Sequence, residues 1–129
     1  MYMLDTDTCS YVLKTKSSGI AKRFIAETGN ISISEIVLGE LRFGGDNHQN
    51  RSDEIHRLID DFVSRLEVVP WAASSSYGKV RAQLASCGTP IGNLDTLIAA
   101  HALQMGCVLV TNNTRHFSCV HGLEIENWK

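Results

Sequence analysis

The sequence predicts an α/β fold in which helices cover both faces of a mainly parallel sheet of four to five strands. Short apolar segments alternate along the chain with stretches of helical periodicity, and this alternation favours a parallel sheet. The clearest strand is CVLV at residues 107–110. The chain has 129 residues, 43% of them hydrophobic, which suits one domain with one core and is too short for two.

The first strand–helix unit is predicted at the N-terminus. Residues 2–4 form a short apolar strand, and the helix that follows runs to about Lys14. Asp7 or Thr8 could cap this helix, because short polar side chains accept hydrogen bonds from the first free N–H groups of a helix. A second helix follows Gly19.

The next strand is ISIS at residues 31–34, and Ser34 could cap the helix after it. This helix is expected to end near Phe43, because Gly44 and Gly45 follow it.

The second half of the chain continues the alternation. The predicted helices are one that starts near Ser52, one that carries Tyr77, Val80 and Leu84 and ends at Gly88 and Pro90, and one from near Asn93 to Gly106. The predicted strands are residues 67–69, 107–110 and 123–125.

Three carboxylates, Asp5, Glu40 and Asp95, are the strongest indication of chemistry. Asp5 directly follows the apolar run YML, so it lies at the end of the first predicted strand. Acidic side chains on inward-facing surfaces are costly unless a positive charge neutralises them. Active sites of parallel sheets lie beyond the carboxyl ends of the strands. The pattern therefore predicts an acidic pocket for Mg²⁺ or Mn²⁺.

Each of these acids also has a simpler interpretation. Asp5 could be a turn residue. Glu40 is spaced i, i+4, i+7 with Ile36 and Phe43, which predicts a core-facing position, but it could also extend from the edge of that face to water. Asp95 is predicted in the first turn of a helix, where an acid interacts favourably with the helix dipole.

Further candidates lie close to the same sheet edge. Asp7 could cap the first helix or bind the metal through water, and we favour the cap. Thr111, Asn112 and Asn113 follow the clearest strand, and their hydroxyl and amide groups could orient ligands or water; a polar turn is the alternative.

Composition limits the classes of function and the compartment. The formal net charge of −2 argues against a protein that binds nucleic acid by charge alone. The four cysteines contain no CxxC pair, so free thiols are expected rather than a zinc site. No apolar stretch is long enough to span a bilayer, and the N-terminus lacks the pattern of a signal peptide, so we expect a cytoplasmic protein.

The sequence resembles the PIN-domain ribonucleases, specifically the VapC-type toxins of bacterial type II toxin–antitoxin modules. The resemblance covers essentially the whole chain as one domain, residues 1–129. The matching segments are YMLDTDTCSYVLK, ISEIVLGELRFG, YGKVRAQLASCGTPIGNLDTLIAAHAL, VLVTNNTRHF and GLEIENW. The combination of GTPIG-x-x-D-x-x-IAAHA with LVTNN is specific, although no single segment is.

The resemblance implies a three-layer α/β/α sandwich and a metal-dependent endoribonuclease. By position, Asp5, Glu40 and Asp95 are the residues that bind Mg²⁺ or Mn²⁺ in this family, and Asn113 is the nearest match to a further contributor. A structured RNA such as tRNA is the implied substrate class, cut to a 3′-hydroxyl and a 5′-phosphate. The implied partners are a cognate VapB-type antitoxin that covers the acidic groove, a second copy of the chain in a homodimer, and a larger toxin–antitoxin complex.

The chain departs from the family pattern at one place. Similar toxins often carry glutamates around the TR-x-F segment, where this sequence has His116 and Ser118. The departure leaves the chain without a fourth carboxylate here. His116 could contact phosphate, but a surface position is the expectation.

Two other functions fit parts of the sequence. The opening DTDTC also matches D-x-D-x-[TV], the nucleophile motif of haloacid-dehalogenase-like phosphatases, although that fold expects an acid where this chain has Thr111 to Asn113. Alternatively, the domain could bind RNA or a protein without cleaving it, but an anionic groove does not help an RNA binder.

Overall fold

A five-stranded parallel sheet forms the centre of the protein in the computed structural model, which describes residues 1–15 and 19–129. The strand order is β3-β2-β1-β4-β5, and every pair of neighbours is parallel. The strands are β1 (Tyr2–Leu4), β2 (Ile31–Ser34), β3 (Glu67–Val69), β4 (Val108–Val110) and β5 (Ile125–Glu126). The prediction of a mainly parallel sheet is therefore confirmed.

Seven helices connect and cover these strands in the described part of the chain. They are α1 (Thr6–Lys14), α2 (Gly19–Ala26), α3 (Glu35–Asp46), α4 (Ser52–Val63), α5 (Ser74–Ser86), α6 (Asn93–Met105) and α7 (Thr114–Phe117). Helices α1 to α4 contact one another, and α5 packs mainly against α6. No helix within the described ranges has both the length and the apolar character needed to cross a bilayer.

Both faces of the central strands are buried, as expected for the middle layer of an α/β/α sandwich. Met3 and Leu4 point to opposite faces of β1, and neither has any exposed surface. All four residues of β2 are buried as well. The helices supply the rest of the core through side chains such as Val37, Phe62 and Ile98.

Several element ends agree with the sequence pattern. Ser34 caps α3, and its Oγ accepts the backbone N–H of Ile36 at 3.2 Å. Helix α6 ends at Gly106, which has the left-handed φ of 65° that favours glycine. All four cysteines are free thiols, although only Cys9 and Cys107 are buried.

Other predictions about the elements were wrong. Helix α3 continues through Gly44 and Gly45 to Asp46, because its last turn still packs against α4. The last strand begins at residue 125 rather than 123, and the short helix α7 was not predicted. The cap of α1 is neither Asp7 nor Thr8 but Asp5, whose side chain accepts the N–H of Thr8.

Candidate active site

The carboxyl ends of β1 and β4 lie side by side, and they position the first candidate residues. The two strands pair in register from Tyr2 with Val108 to Leu4 with Val110. Asp5 follows one strand and Thr111 follows the other, and the backbone N–H of Asp5 donates to the carbonyl of Val110 at 3.0 Å. The sheet therefore brings together two candidates that lie more than 100 positions apart in the sequence.

Asp5 is a buried carboxylate that no described cation pairs with. It is only 5% exposed, and its Oδ1 accepts the N–H of Thr8 at 2.9 Å. Burial raises the pKa of Asp5 above its ordinary value, although hydrogen bonds from Thr111 and Thr8 act in the opposite direction. The protein thus holds an acidic oxygen in a place where a bound cation would stabilise its charge.

Glu40 lies beside the start of α1. Its Oε1 accepts the hydroxyl of Thr6 at 2.6 Å, and Thr6 is the residue after Asp5. The predicted core-facing stripe is wrong, because Phe43 is 67% exposed and the buried side of α3 is formed by Val37 and Leu41. Glu40 is half-buried at the edge of the buried side of α3. Its carboxylate is therefore positioned by the hydrogen bond from Thr6 and not by packing in the core.

Asp95 lies in the first turn of α6, as predicted, and its partner comes from α7. Nε2 of His116 is 3.2 Å from Oδ2 of Asp95. The side chain of Asp95 is 43% exposed and that of His116 is 29% exposed, so the pair opens to solvent and His116 is the more enclosed of the two. His116 is partly exposed at the surface, but its contact with Asp95 was not predicted, since spacing along the chain cannot relate residues that α7 and α6 bring together.

The remaining candidates differ in their surroundings. Asp7 is exposed on α1. Asn113 is also exposed, and its backbone N–H donates to the hydroxyl of Thr111 at 2.9 Å. The side-chain oxygen of Asn112 is buried and has no hydrogen-bond partner within the described residues. Buried polar atoms are normally paired, so this oxygen is a candidate to accept a hydrogen bond from a bound molecule.

The buried histidine of α6 does not belong to the candidate site. His101 is 1% exposed, and its Nδ1 lies 2.8 Å from the hydroxyl of Ser34. Burial lowers the pKa of His101, which favours the neutral ring. Its position in the core indicates a structural role.

The donor set suits a hard divalent cation, although the side chains do not form a closed cage. Carboxylate and amide oxygens are the ligands that Mg²⁺ and Mn²⁺ prefer. Within residues 1–15 and 19–129, no three His, Cys, Asp or Glu side chains lie close enough together to hold a metal ion. Mg²⁺ usually keeps several waters and uses one or two carboxylates together with substrate phosphates, so an open arrangement of acids fits it.

Comparison with known sequences identifies the family. A family model for the PIN domain matches residues 2–122. The tRNA(fMet)-specific endonuclease VapC of Shigella flexneri is 40% identical over 129 residues, which cover 98% of this chain and 97% of that protein. Ribonuclease VapC2 of Rickettsia felis is 37% identical over 132 residues, which cover 99% and 98% of the two chains.

Comparison with solved structures gives the same family. A chain of DNA-bound VapBC from Salmonella typhimurium has a TM-score of 0.94 and 40% identity, and a chain of VapBC2 from Rickettsia felis bound to a promoter DNA fragment has a TM-score of 0.93 and 36% identity. Each alignment covers 99% of this chain and 98% of the other. These matches decide against a haloacid-dehalogenase-like phosphatase, and the chain belongs to the PIN-domain family and, within it, to the VapC ribonucleases.

Proposed function

We propose that this protein is the toxin of a VapBC-type toxin–antitoxin pair and that it is a Mg²⁺- or Mn²⁺-dependent endoribonuclease acting in the cytoplasm on a structured RNA such as tRNA. The observation that carries the proposal is the buried carboxylate of Asp5 at the sheet edge, with which no cation of the described residues pairs. The next residue in the sequence, Thr6, donates a hydrogen bond to Glu40. The proposal is supported by relatives that are named as RNA-cleaving enzymes and that this chain matches over nearly their whole length.

In this proposal Asp5, Glu40 and Asp95 are the residues that would hold the cation. When bound, the cation would lower the pKa of a water molecule and offset negative charge on the phosphate that is attacked. Thr8 and Thr111 hold the Asp5 carboxylate in place, and Thr6 holds that of Glu40. These fixed hydrogen bonds reduce the reorganisation that the acids need when the substrate binds.

The chain also supplies polar groups for the substrate side of the reaction. The unpaired oxygen of Asn112 can accept a hydrogen bond from a water molecule at the sheet edge. Arg115 is exposed on α7, one residue from the partner of Asp95, and can contact an RNA phosphate. Attack by water rather than by the ribose 2′-hydroxyl would leave a 3′-hydroxyl and a 5′-phosphate.

Cleavage of total cellular RNA by purified protein, freed of any co-purified antitoxin, tests this proposal. With Mg²⁺ we expect discrete fragments that disappear with EDTA and in the variants Asp5→Asn and Glu40→Gln. Glu35→Gln is the matched control, because Glu35 is an exposed acid in the first turn of the same helix as Glu40. Intact RNA under all conditions, or equal cleavage by the Asp5 variant, would contradict the proposal.

The same experiment separates cleavage from the remaining alternative. RNA binding that EDTA does not change, without cleavage, would support a binding module. Sequencing the fragment ends from a positive result identifies the RNA target and the position of the cut.

An antitoxin partner is proposed because the similar solved structures are of VapBC complexes. Glu40 lines a cleft of about 480 Å³ between α1, α3 and α4, whose other walls include Leu13, Leu41, Ile55 and Ile59. A segment that fills this cleft reaches Glu40, where a basic side chain would be electrostatically complementary. Addition of the cognate antitoxin should abolish RNA cleavage.

A homodimer is part of the same proposal. Light scattering of the purified toxin should give about twice the 14.2 kDa mass of one chain at micromolar concentration. A mass of one chain under these conditions would contradict the dimer without affecting the proposed reaction.

A further inference from the structure

His116, on the short helix α7, lies against a candidate metal ligand. Its Nε2 is 3.2 Å from Oδ2 of Asp95, and this is the hydrogen bond that links α7 to the first turn of α6 at the site. The imidazole therefore introduces a nitrogen donor into a group of residues that otherwise offers oxygen.

The ring of His116 is held in a defined position. It packs edge-to-face on Phe117, with ring centroids 5.3 Å apart and an angle of 88° between the planes. Phe117 is 2% exposed, so it anchors α7 in the core. The backbone N–H of His116 donates to the carbonyl of Asn113, which fixes the start of the same short helix. A ring fixed in this way can direct Nε2 without a large loss of side-chain entropy.

The separation of the two donor atoms suits a shared cation as well as a hydrogen bond. Adjacent ligands in an octahedral shell with bonds of about 2.1 Å lie about 3 Å apart, which is close to the 3.2 Å between Nε2 and Oδ2. In the metal-free protein, Nε2–H donates to Asp95. With a cation, the ring proton would lie on Nδ1, leaving the lone pair of Nε2 free to bind.

We propose that His116 binds the active-site cation beside Asp95 and makes this chain prefer Mn²⁺ and later first-row divalent cations over Mg²⁺. The inference rests on the proposed metal-dependent function. Imidazole nitrogen suits transition metals, whereas carboxylate and water suit Mg²⁺, so a histidine among oxygen ligands shifts the choice of cation. The residue thus selects the cofactor of the same site.

Calorimetric titration with Mg²⁺ and with Mn²⁺, in the absence of RNA, measures this preference. The wild type is compared with His116→Glu, which supplies an oxygen donor, and with His116→Gln, which keeps a hydrogen-bond donor for Asp95. His121→Gln is the matched control, because His121 is an exposed histidine in the turn that follows α7. Melting in EDTA establishes that each variant is folded.

We expect the ratio of the Mg²⁺ to the Mn²⁺ dissociation constant to fall about tenfold or more in both His116 variants and to stay unchanged in His121→Gln. Electron spin-echo spectroscopy of bound Mn²⁺ should show coupling to a directly bound ¹⁴N nucleus in the wild type and none in the His116 variants. A role limited to positioning Asp95 would not produce this nitrogen signal.

Two results would overturn the inference, and they have different consequences for the proposed function. If both cations bind with the same ratio in the wild type and in His116→Glu, or if the ¹⁴N signal is absent, His116 is not a ligand, while metal-dependent RNA cleavage stands. If neither cation binds to the wild type and RNA cleavage is insensitive to EDTA, the proposed metal dependence fails together with the inference.

Discussion

Replacing Asp5 by asparagine should leave the metal-free protein at least as stable as the wild type at pH 7. Asparagine caps a helix as well as aspartate does, so its side-chain oxygen can still accept the N–H of Thr8, which lies 2.9 Å from Oδ1 of Asp5. The substitution also removes a charge from a site that is only 5% exposed. The substitution therefore keeps the cap and removes the cost of burying a charge, so it should not lower the stability of the protein.

The companion variant Asp5→Ala separates the cap from the charge. Alanine cannot accept the hydrogen bond from Thr8, and the loss of a helix cap costs about 1 kcal/mol, within a range of about 0.5–2 kcal/mol. For a chain of 129 residues this corresponds to a melting temperature lower by roughly 4 °C than that of Asp5→Asn. Both variants lack the charge, so the difference between them reports the cap alone.

The pH dependence gives the sign of the charge effect. Burial raises the pKa of Asp5 in the folded protein above 3.8, whereas the unfolded chain keeps the ordinary value. The unfolded state therefore loses this proton first, and the wild type loses stability as the pH rises from 3.8 through the folded pKa. The advantage of Asp5→Asn should be absent below this window and fully developed above it.

Thermal melting in EDTA and in excess Mg²⁺, between about pH 3 and pH 8, measures all three effects. Mg²⁺ at ten times its dissociation constant should stabilise the wild type by about 1.4 kcal/mol and leave Asp5→Asn nearly unchanged. If Asp5→Asn in EDTA at pH 7 melts below the wild type, the buried charge is not a cost and the reasoning is refuted. If it melts as low as Asp5→Ala, the cap contributes nothing.

Three further predictions concern stability, each measured by urea unfolding. Gly44→Ala should stabilise the protein by about 0.5–1 kcal/mol, because Gly44 lies in a helix and an added Cβ meets nothing within 4 Å. Gly45→Ala should destabilise it by about 1–3 kcal/mol, because its Cβ would lie 2.9 Å from the His56 ring. Equal effects of the two substitutions would contradict this. Gly106→Ala should cost about 1–2 kcal/mol, because φ is 65°, and an unchanged midpoint would refute this. Leu109→Ala should cost about 2–5 kcal/mol, because Leu109 is fully buried in a central strand, and a loss below 1 kcal/mol would mean that the core refills the cavity.

The parallel sheet and the positions of Asp5 and Asp95 within their elements could be predicted from the sequence because their signals are local. Asp5 follows a short apolar strand, and Asp95 follows Gly92 at the start of a helix, so position in the sequence defines position in the element. The expected ligand role of the acids rests on the family resemblance and on the general location of sites in parallel sheets. It stays a prediction that the metal-binding and cleavage experiments test.

The errors arose where tertiary contacts outweigh local preference. Gly44 and Gly45 are signals for the end of a helix, but α3 continues past them because Gly45 packs closely against His56 of α4. Periodicity placed Glu40 on the core side, whereas its hydrogen bond to Thr6 determines where the carboxylate lies. The pairing of His116 with Asp95 depends on how α7 folds back over the sheet edge, which no spacing rule describes.

The strand order has a consequence for how the enzyme is made. Strand β1 is synthesised first, yet it lies in the middle of the sheet between β2 and β4. Its pairing with β4 needs residues 108–110, so Asp5 has no neighbouring strand end on that side until most of the chain has left the ribosome. Such distant parallel pairing also forms slowly. The edge of the sheet that carries Asp5 is therefore completed only once β4 has been synthesised, and nascent chains that lack β4 are expected to be harmless to the RNA of the cell that makes them.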